Sequence, residues 1–321
     1  MKPRKGVSQE HAIDPLLLGM LRSPLTQEPL RLRDGLLGSS TERYPVVDSI
    51  PILLPPRAPK RTPQRVGSTE EEIIEAFRER SSSYFRDNYQ SSAPGARDRQ
   101  RRHALVSSLL RNLVGPGLTV LEAGSGPAVL ATDVTGLGAN HVALDLSHEN
   151  LVAARERLGE VRAVVGSLTA LPFASKSCDV VTAIGCLEYV PAMGLAIREL
   201  TRVCRPDGFI VASFANRHSP RRWWDELLVH PAARLKSRLG GDQATYGRHL
   251  VSRDAVRRMF ETAGATVFDE RSLNGGLLGF PMSERTSIQR LERLIHAWSP
   301  RARMASSEFV VIARRDSGER S

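Results

Sequence analysis

The sequence predicts an α/β fold, a mostly parallel sheet with helices on both faces, joined to a small α+β module at its amino end. Three observations carry this. Between residues 118 and 214, short apolar runs alternate with segments of helical spacing, as in a parallel sheet covered by helices. The run Cys178–Ile184 is almost wholly apolar, as a strand buried on both faces must be. A proline-rich, basic stretch over residues 51–63 has linker composition and ends whatever residues 10–54 form.

Taken in order, residues 70–89 read as a helix with apolar Ile73, Ile74, Phe77, Tyr84 and Phe85. Residues 118–123 form a first strand that ends at glycines, and residues 128–137 have helical spacing. A second strand covers 141–146, and a helix follows over 148–158 with Ser147 placed to cap it. Strands at 161–166 and 178–184, a helix at 193–203, a turn at Pro206-Asp207-Gly208 and a strand at 209–214 complete the alternation. Residues 216–247 form an insertion bearing arginine and aromatic residues. A helix at 252–263 follows, and strands at 266–271 and 308–313 flank a helix near 287–298. The expected domains are a module at 1–56, a linker at 57–69 and a large domain at 70–321.

Composition bounds the function. The apolar share of 41% and charged share of 25% over 321 residues exclude a wholly disordered chain. No apolar run approaches the ~18 residues of a membrane helix, and the basic start lacks an apolar h-region. The cysteines, Cys178, Cys186 and Cys204, make no Cys-x-x-Cys, which argues against a disulfide framework or a cysteine-built zinc site and fits a reducing cytoplasm. The formal charge of +10 is unevenly spread: residues 118–213 carry a net −3, residues 57–117 a net +5 and residues 214–321 a net +7. Basic flanks of this kind suit an anionic partner such as nucleic acid, or serve only as a solvated surface.

The sharpest motif is Val120-Leu-Glu-Ala-Gly-Ser-Gly-Pro-Ala128, a strand running into Gly124, Ser125 and Gly126 with a helix behind. Glycines there permit a tight turn and let a ligand approach the backbone. Asp145, 21 residues after Gly124, ends the second strand, where a carboxylate is placed to accept from both hydroxyls of a ribose. A dinucleotide fingerprint needs a third glycine where Val129 stands. Glu122 would repel a pyrophosphate and attract an ammonium or sulfonium.

Glu-x-Gly-x-Gly followed by a strand-end Asp resembles the first two motifs of class I S-adenosylmethionine-dependent methyltransferases. The likeness extends over Gly166-Ser-Leu-Thr-Ala-Leu-Pro-Phe173, over Cys178-Asp-Val-Val-Thr-Ala-Ile-Gly-Cys-Leu-Glu-Tyr-Val190, and over the segments 197–208 and 249–264. It implies a Rossmann-like, seven-stranded, mostly parallel sheet and S-adenosylmethionine as cofactor, with S-adenosylhomocysteine as product and no metal. It also implies roles: Glu122 and the Gly124–Gly126 backbone for the methionine end, Asp145 for the ribose, and Leu146, Ser167 and Leu168 for the adenine. Ala183 and Leu187 would floor the site near sulfur. Two departures stand out: Ala128 ends the glycine triplet, and Ser167 replaces an acid that accepts from the adenine amine.

Methyl transfer from a sulfonium is an in-line displacement that needs a base only when the acceptor must lose a proton. The candidate bases by position are Glu188, Tyr189, His218 and His249. Cys186 has no basic partner in sequence and reads as packing. The insertion, with Trp223, Trp224 and Tyr246 beside Arg221 and Arg222, is placed to cap the acceptor, so Tyr189, His218, Trp223, Trp224 and Tyr246 are the candidate substrate contacts. A small-molecule or lipid-like acceptor is the first expectation. An RNA substrate drawn to the basic flanks is the second, and a degenerate, non-catalytic scaffold the third.

Residues 13–54 resemble the small Trm112-like domain, in which Leu-x-x-x-Cys-Pro-x-Cys precedes Tyr-Pro-x-x-Asp-Gly-Ile-Pro. Here Leu16-Leu-Leu-Gly-Met-Leu-Arg-Ser-Pro-Leu-Thr26 places Ser23 and Thr26 at the cysteines, while Tyr44-Pro-Val-Val-Asp-Ser-Ile-Pro-Ile-Leu-Leu54 keeps the ending. Serine and threonine are poor zinc ligands, so the module is expected to lack the metal and to pack its apolar residues against the rest of the chain.

Overall fold

The computed structural model describes residues 13–55, 85, 89–91, 94–219, 248–273 and 306–318. The expected linker at 57–69, most of the helix at 70–89, the helix near 287–298, and Trp223, Trp224 and Tyr246 lie outside the described residues.

The chain opens with α1 (Pro15–Met20), whose first turn is closed by Asp14 accepting from the backbone of Leu16 and Leu17. Four short strands follow: β1 (Arg31–Arg33), β2 (Leu36–Gly38), β3 (Arg43–Val47) and β4 (Ile50–Leu53). Helix α2 (Pro94–Leu113) leads to β5 (Thr119–Ala123), α3 (Ala131–Gly136), β6 (Asn140–Asp145), α4 (His148–Leu158) and β7 (Arg162–Gly166). Then come β8 (Cys178–Ala183), α5 (Met193–Val203), β9 (Cys204–Ala215), α6 (Arg253–Thr262), β10 (Ala265–Leu273) and β11 (Glu308–Arg315).

Among the described residues one sheet gathers the strands in the order β1-β2-β3-β4-β7-β6-β5-β8-β9-β11-β10. Strands β4 to β9 pair in parallel across this sheet, and β11 runs antiparallel between β9 and β10. The winding starts at β5, moves outward through β6 and β7, then returns to the other side for β8 and β9. The crossovers on the two sides of β5 therefore diverge at its carboxyl end, and an open crevice forms there.

Alternation along the strands divides the core. Val120 of β5 and Val180 of β8 face Val106 and Leu110 of α2. Leu121 and Ala123 face the opposite side with Val142, Leu144 and Val181. The amino-terminal residues Leu17, Leu21, Leu37, Tyr44 and Leu53 belong to that same cluster, so the module shares the core of the sheet. Pairing of Ile52 with Val165 and Leu53 with Gly166 extends the sheet beyond β7. The seven expected strands are β5 to β11, and among the described residues the four strands of the module join them in one sheet.

Two local expectations shift. The helix expected from residue 128 starts at Ala131, because Ala128 has φ +52°, outside the helical region. The turn expected at Pro206–Gly208 lies inside β9, where Cys178 pairs with Cys204 but Val180 with Phe209, so the intervening residues bulge outward. Asp207 carries the bulge at φ +60°.

Candidate active site

A cleft of about 100 Å³ opens at the carboxyl ends of β5, β6, β7 and β8. Its floor is the turn after β5. Gly124 has φ +69° and Gly126 φ +53°, a conformation that costs a side chain-bearing residue ~1–2 kcal/mol. Space also forbids a side chain at Gly124, where a Cβ would lie 2.5 Å from the Cys186 Cβ. Cys186 is therefore a wall of the cleft, its Sγ donating to the Ala123 carbonyl at 3.4 Å. Burial pushes its thiol far above the ordinary range, so it is held as a neutral packing group.

Asp145 ends β6 with its carboxylate at the cleft. Its Oδ2 accepts from the Gly126 N–H at 2.7 Å, and its Oδ1 accepts from the Ser147 N–H at 2.9 Å and the Asn150 Nδ2 at 3.3 Å. Burial raises its pKa, against the opposing effect of these donors. Glu122 lines the cleft from β5 and is almost wholly buried. Its Oε2 meets His141 Nε2 at 2.7 Å, and its Oε1 accepts from the Leu130 N–H at 3.2 Å. The acid expected to face a ligand cation is thus also anchored to β6 and to the turn before α3.

The structure brings Glu122, Gly124, Ser125, Gly126, Asp145, Leu146, Leu168 and Tyr189 to one cleft. Ser167, Ala183 and Leu187 do not line it. The Ser167 hydroxyl pairs with Thr169 Oγ1 at 2.8 Å, and Ala183 and Leu187 are fully buried. Of the four candidate bases only Tyr189 reaches the cleft. Burial raises the pKa of its phenol, which makes it a hydrogen-bond donor, and the Arg248 guanidinium lies 5.8 Å from its ring centroid. Glu188 is buried behind the cleft near Arg102, Glu308 and Arg248, with burial raising its pKa. His249 donates its backbone N–H to the Glu188 carbonyl at 2.7 Å, and His218 is exposed.

Sequence reasoning missed Tyr89, Arg102 and Asn150, all of which line the cleft. Arg102 comes from α2, is almost fully buried, and pairs with Glu308 of β11 at 3.0 Å. A Cβ on Gly185 would sit 2.5 Å from an Arg102 nitrogen, so that glycine makes room for the guanidinium. Arg102 and Tyr89 precede β5 in sequence, and nothing in their local pattern tells that α2 folds back over the crevice. Asn150 carried a legible signal, a polar residue on the apolar side of α4, three residues after the cap at Ser147. Among the described residues no group of three or more metal-ligating side chains converges, and no helix is long and apolar enough to cross a membrane.

Residues 121–212 match the methyltransferase-domain family. The demethylmenaquinone methyltransferase of Mycobacterium marinum is 32% identical over 190 residues, which cover 56% of this chain and 80% of that protein. Among solved structures, the magnesium protoporphyrin IX methyltransferase of Synechocystis PCC 6803, crystallised with bound SAH, superposes with a TM-score of 0.52 at 15% identity. The match covers 77% of this chain and 99% of that one. A chain of the complex formed by the Haloferax volcanii Trm112 methyltransferase activator gives a TM-score of 0.52 at 17% identity, covering 75% of this chain and 97% of that one. At these identities the two structures bear on the fold alone.

Proposed function

This chain belongs to the S-adenosylmethionine-dependent methyltransferases, and from that premise we propose that it methylates a small-molecule acceptor held at the mouth of the cleft beside Tyr189. The observation that carries the reading is the lining itself, which brings Glu122, Arg102, Gly124, Gly126, Asp145 and Tyr189 to one cleft. Gly124, which has no room for a Cβ, and the Asp145 carboxylate at the cleft fit a nucleoside ligand.

S-adenosylmethionine, when bound, supplies an electrophilic methyl group on sulfur. The chain's part is to hold and align. Glu122 and Arg102 would take the ammonium and carboxylate of the methionine end, and Asp145 the ribose. Ile184, Cys186 and Val190 give the cleft an apolar wall that would exclude water from a bound cofactor. Tyr189, held as a donor, would orient a polar group of the acceptor, with Arg248 beside it favouring negative charge there. The acceptor named for the Mycobacterium marinum relative, a demethylmenaquinone, supports the small-molecule class.

Calorimetric titration of the full chain with S-adenosylhomocysteine tests the site. Asp145→Ala should weaken binding by about tenfold or more, equivalent to ~1.4 kcal/mol. Transfer of a labelled methyl group to a demethylated naphthoquinol, and none to total RNA, is the expected outcome for the acceptor. Transfer to RNA alone would replace this reading with the nucleic-acid one.

We also read the amino-terminal region as a Trm112-like module carried in the same chain. The motif ending at 44–54 and the pairing of β4 with β7 support this. The three cysteines are free, which fits a reducing cytoplasm.

A further inference from the structure

We propose that the outer face of β1, β2 and β3 is a docking surface for anionic phospholipid, which seats the amino-terminal module on a membrane surface. None of the residues that form this face lines the cleft, so the proposal stands apart from the reading of the cleft.

Strand register defines the face. Arg31 pairs with Gly38, and Gly38 with Arg43, which makes one cross-strand row. Arg33, Leu36 and Pro45 make a second row, and Val47 continues β3 on the same side. Alternation turns Leu32, Leu37, Tyr44 and Val46 the other way, into or against the core shared with the large sheet. The outer residues Arg31, Arg33, Leu36, Arg43, Pro45 and Val47 are all exposed. Gly38 lets the Arg43 side chain lie across the face, since a Cβ there would come within 3.1 Å of Arg43 Cδ.

The face is both apolar and of one charge. A solvated sheet surface ordinarily carries polar residues, yet Leu36 is 40% exposed, Val47 43%, and Pro45 is exposed between them. Its strand positions hold three arginines and no acid. Among the described residues none of these arginines takes part in an ion pair; Arg43 donates only to the Ser39 and Glu42 carbonyls. The acids nearby in sequence are engaged elsewhere. Glu28 accepts from the Ser40 hydroxyl at 2.6 Å, Glu42 from that of Ser39, and Asp48 lies 3.5 Å from His148. Asp34 belongs to the turn between β1 and β2, outside both rows.

Guanidiniums beside aliphatic groups suit a lipid surface, because two attractions act together. The charged heads reach lipid phosphates while the arginine stems and the aliphatic side chains enter the interface. No aromatic side chain stands on the face to stack a base, which separates it from a nucleic-acid surface. Because β4 runs parallel to β7, and β3 and β2 reverse in turn, Arg31 and Arg43 lie toward the carboxyl edge of the sheet. The cleft opens at that same edge.

Sedimentation of the full chain with vesicles tests this, comparing phosphatidylglycerol mixed into phosphatidylcholine with phosphatidylcholine alone. Wild-type protein should bind the anionic vesicles at least about tenfold more tightly, and less so as salt rises from about 0.05 M to about 0.5 M. Arg31→Gln combined with Arg33→Gln should weaken that binding by about twentyfold, or about fivefold for each arginine. Leu36→Ser combined with Val47→Ser should weaken it by about tenfold. Both variants should keep the wild-type melting temperature within about a few degrees and the wild-type affinity for S-adenosylhomocysteine. Absence of binding, equal binding to the two kinds of vesicle, or binding unchanged in either variant overturns the proposal. Binding of total RNA that is lost with Arg31 and Arg33, without binding to vesicles, would overturn it in favour of a nucleic-acid surface. Failure of S-adenosylhomocysteine to bind the wild-type chain would count against the reading of the cleft and leave the vesicle result to decide the docking face.

Discussion

His141 and Glu122 meet across adjacent parallel strands, Nε2 to Oε2 at 2.7 Å, with both side chains about 95% buried. The pair ties the acid of the glycine motif to β6, whose last residue is Asp145. Removing the imidazole would leave a buried carboxylate with one backbone donor, that of Leu130. His141→Ala should therefore cost about 3–5 kcal/mol of stability, read by urea denaturation, and His141→Gln should recover part of it.

Gly124 is constrained twice, by φ +69° and by Cys186. Gly124→Ala should weaken S-adenosylhomocysteine binding by more than about tenfold, the strain alone being worth ~1–2 kcal/mol. Adding Cys186→Gly should restore part of the melting temperature and little of the rest, because it removes the contact and leaves the dihedral.

Arg102 is expected to read the amino-acid end of the cofactor. Arg102→Leu should weaken S-adenosylhomocysteine by about tenfold or more while changing 5′-methylthioadenosine, which lacks that end, by less than about threefold. Equal losses for both ligands would assign Arg102 a structural role through Glu308 instead.

Glu270 on β10 sets an acid limit to stability. Burial alone would raise its pKa, but Arg257 at 2.6 Å and Arg253 at 2.9 Å prevail and hold it below the ordinary 4.5. The folded state then binds this proton less readily than the unfolded state. The contribution is present above pH 4.5 and is lost as pH falls through the lowered value. Glu270→Gln should reduce the melting temperature at pH 7 and flatten its decline between pH 5 and pH 3, measured by calorimetry as about a few degrees.

Ser23 holds the turn where the Trm112-like domain has a cysteine. Its buried hydroxyl accepts from the Leu25 and Thr26 N–H groups at 3.2 Å and pairs with the Tyr44 hydroxyl at 3.2 Å. Ser23→Ala strands these groups and should cost about 1–3 kcal/mol, seen as a lower urea midpoint. Arg155 fastens the same module to α4, donating to the Asp48 carbonyl at 2.6 Å and the Ser49 carbonyl at 3.2 Å. Arg155→Met should lower stability by about 1–2 kcal/mol for the same reason.

Much of this protein was determined by sequence alone. Alternating apolar and helical periods placed β5 to β8 and α4 to α6 within about three residues, because local patterning records which face of each element is buried. The strand-end positions of Gly124, Gly126 and Asp145 located the cleft, since the carboxyl edge of a parallel sheet is where chain crossovers leave space. Tertiary structure decided the rest. Only folding brings Arg102 and Tyr89 over the crevice, turns Ser167 toward Thr169, and leaves Tyr189 as the one candidate base at the cleft. Only folding pairs β4 with β7, so that the module expected to pack against the rest of the chain joins its sheet edge to edge. The physical reason is common to these cases. Burial and the filling of lone pairs depend on neighbours far apart in the chain, and no local pattern encodes them.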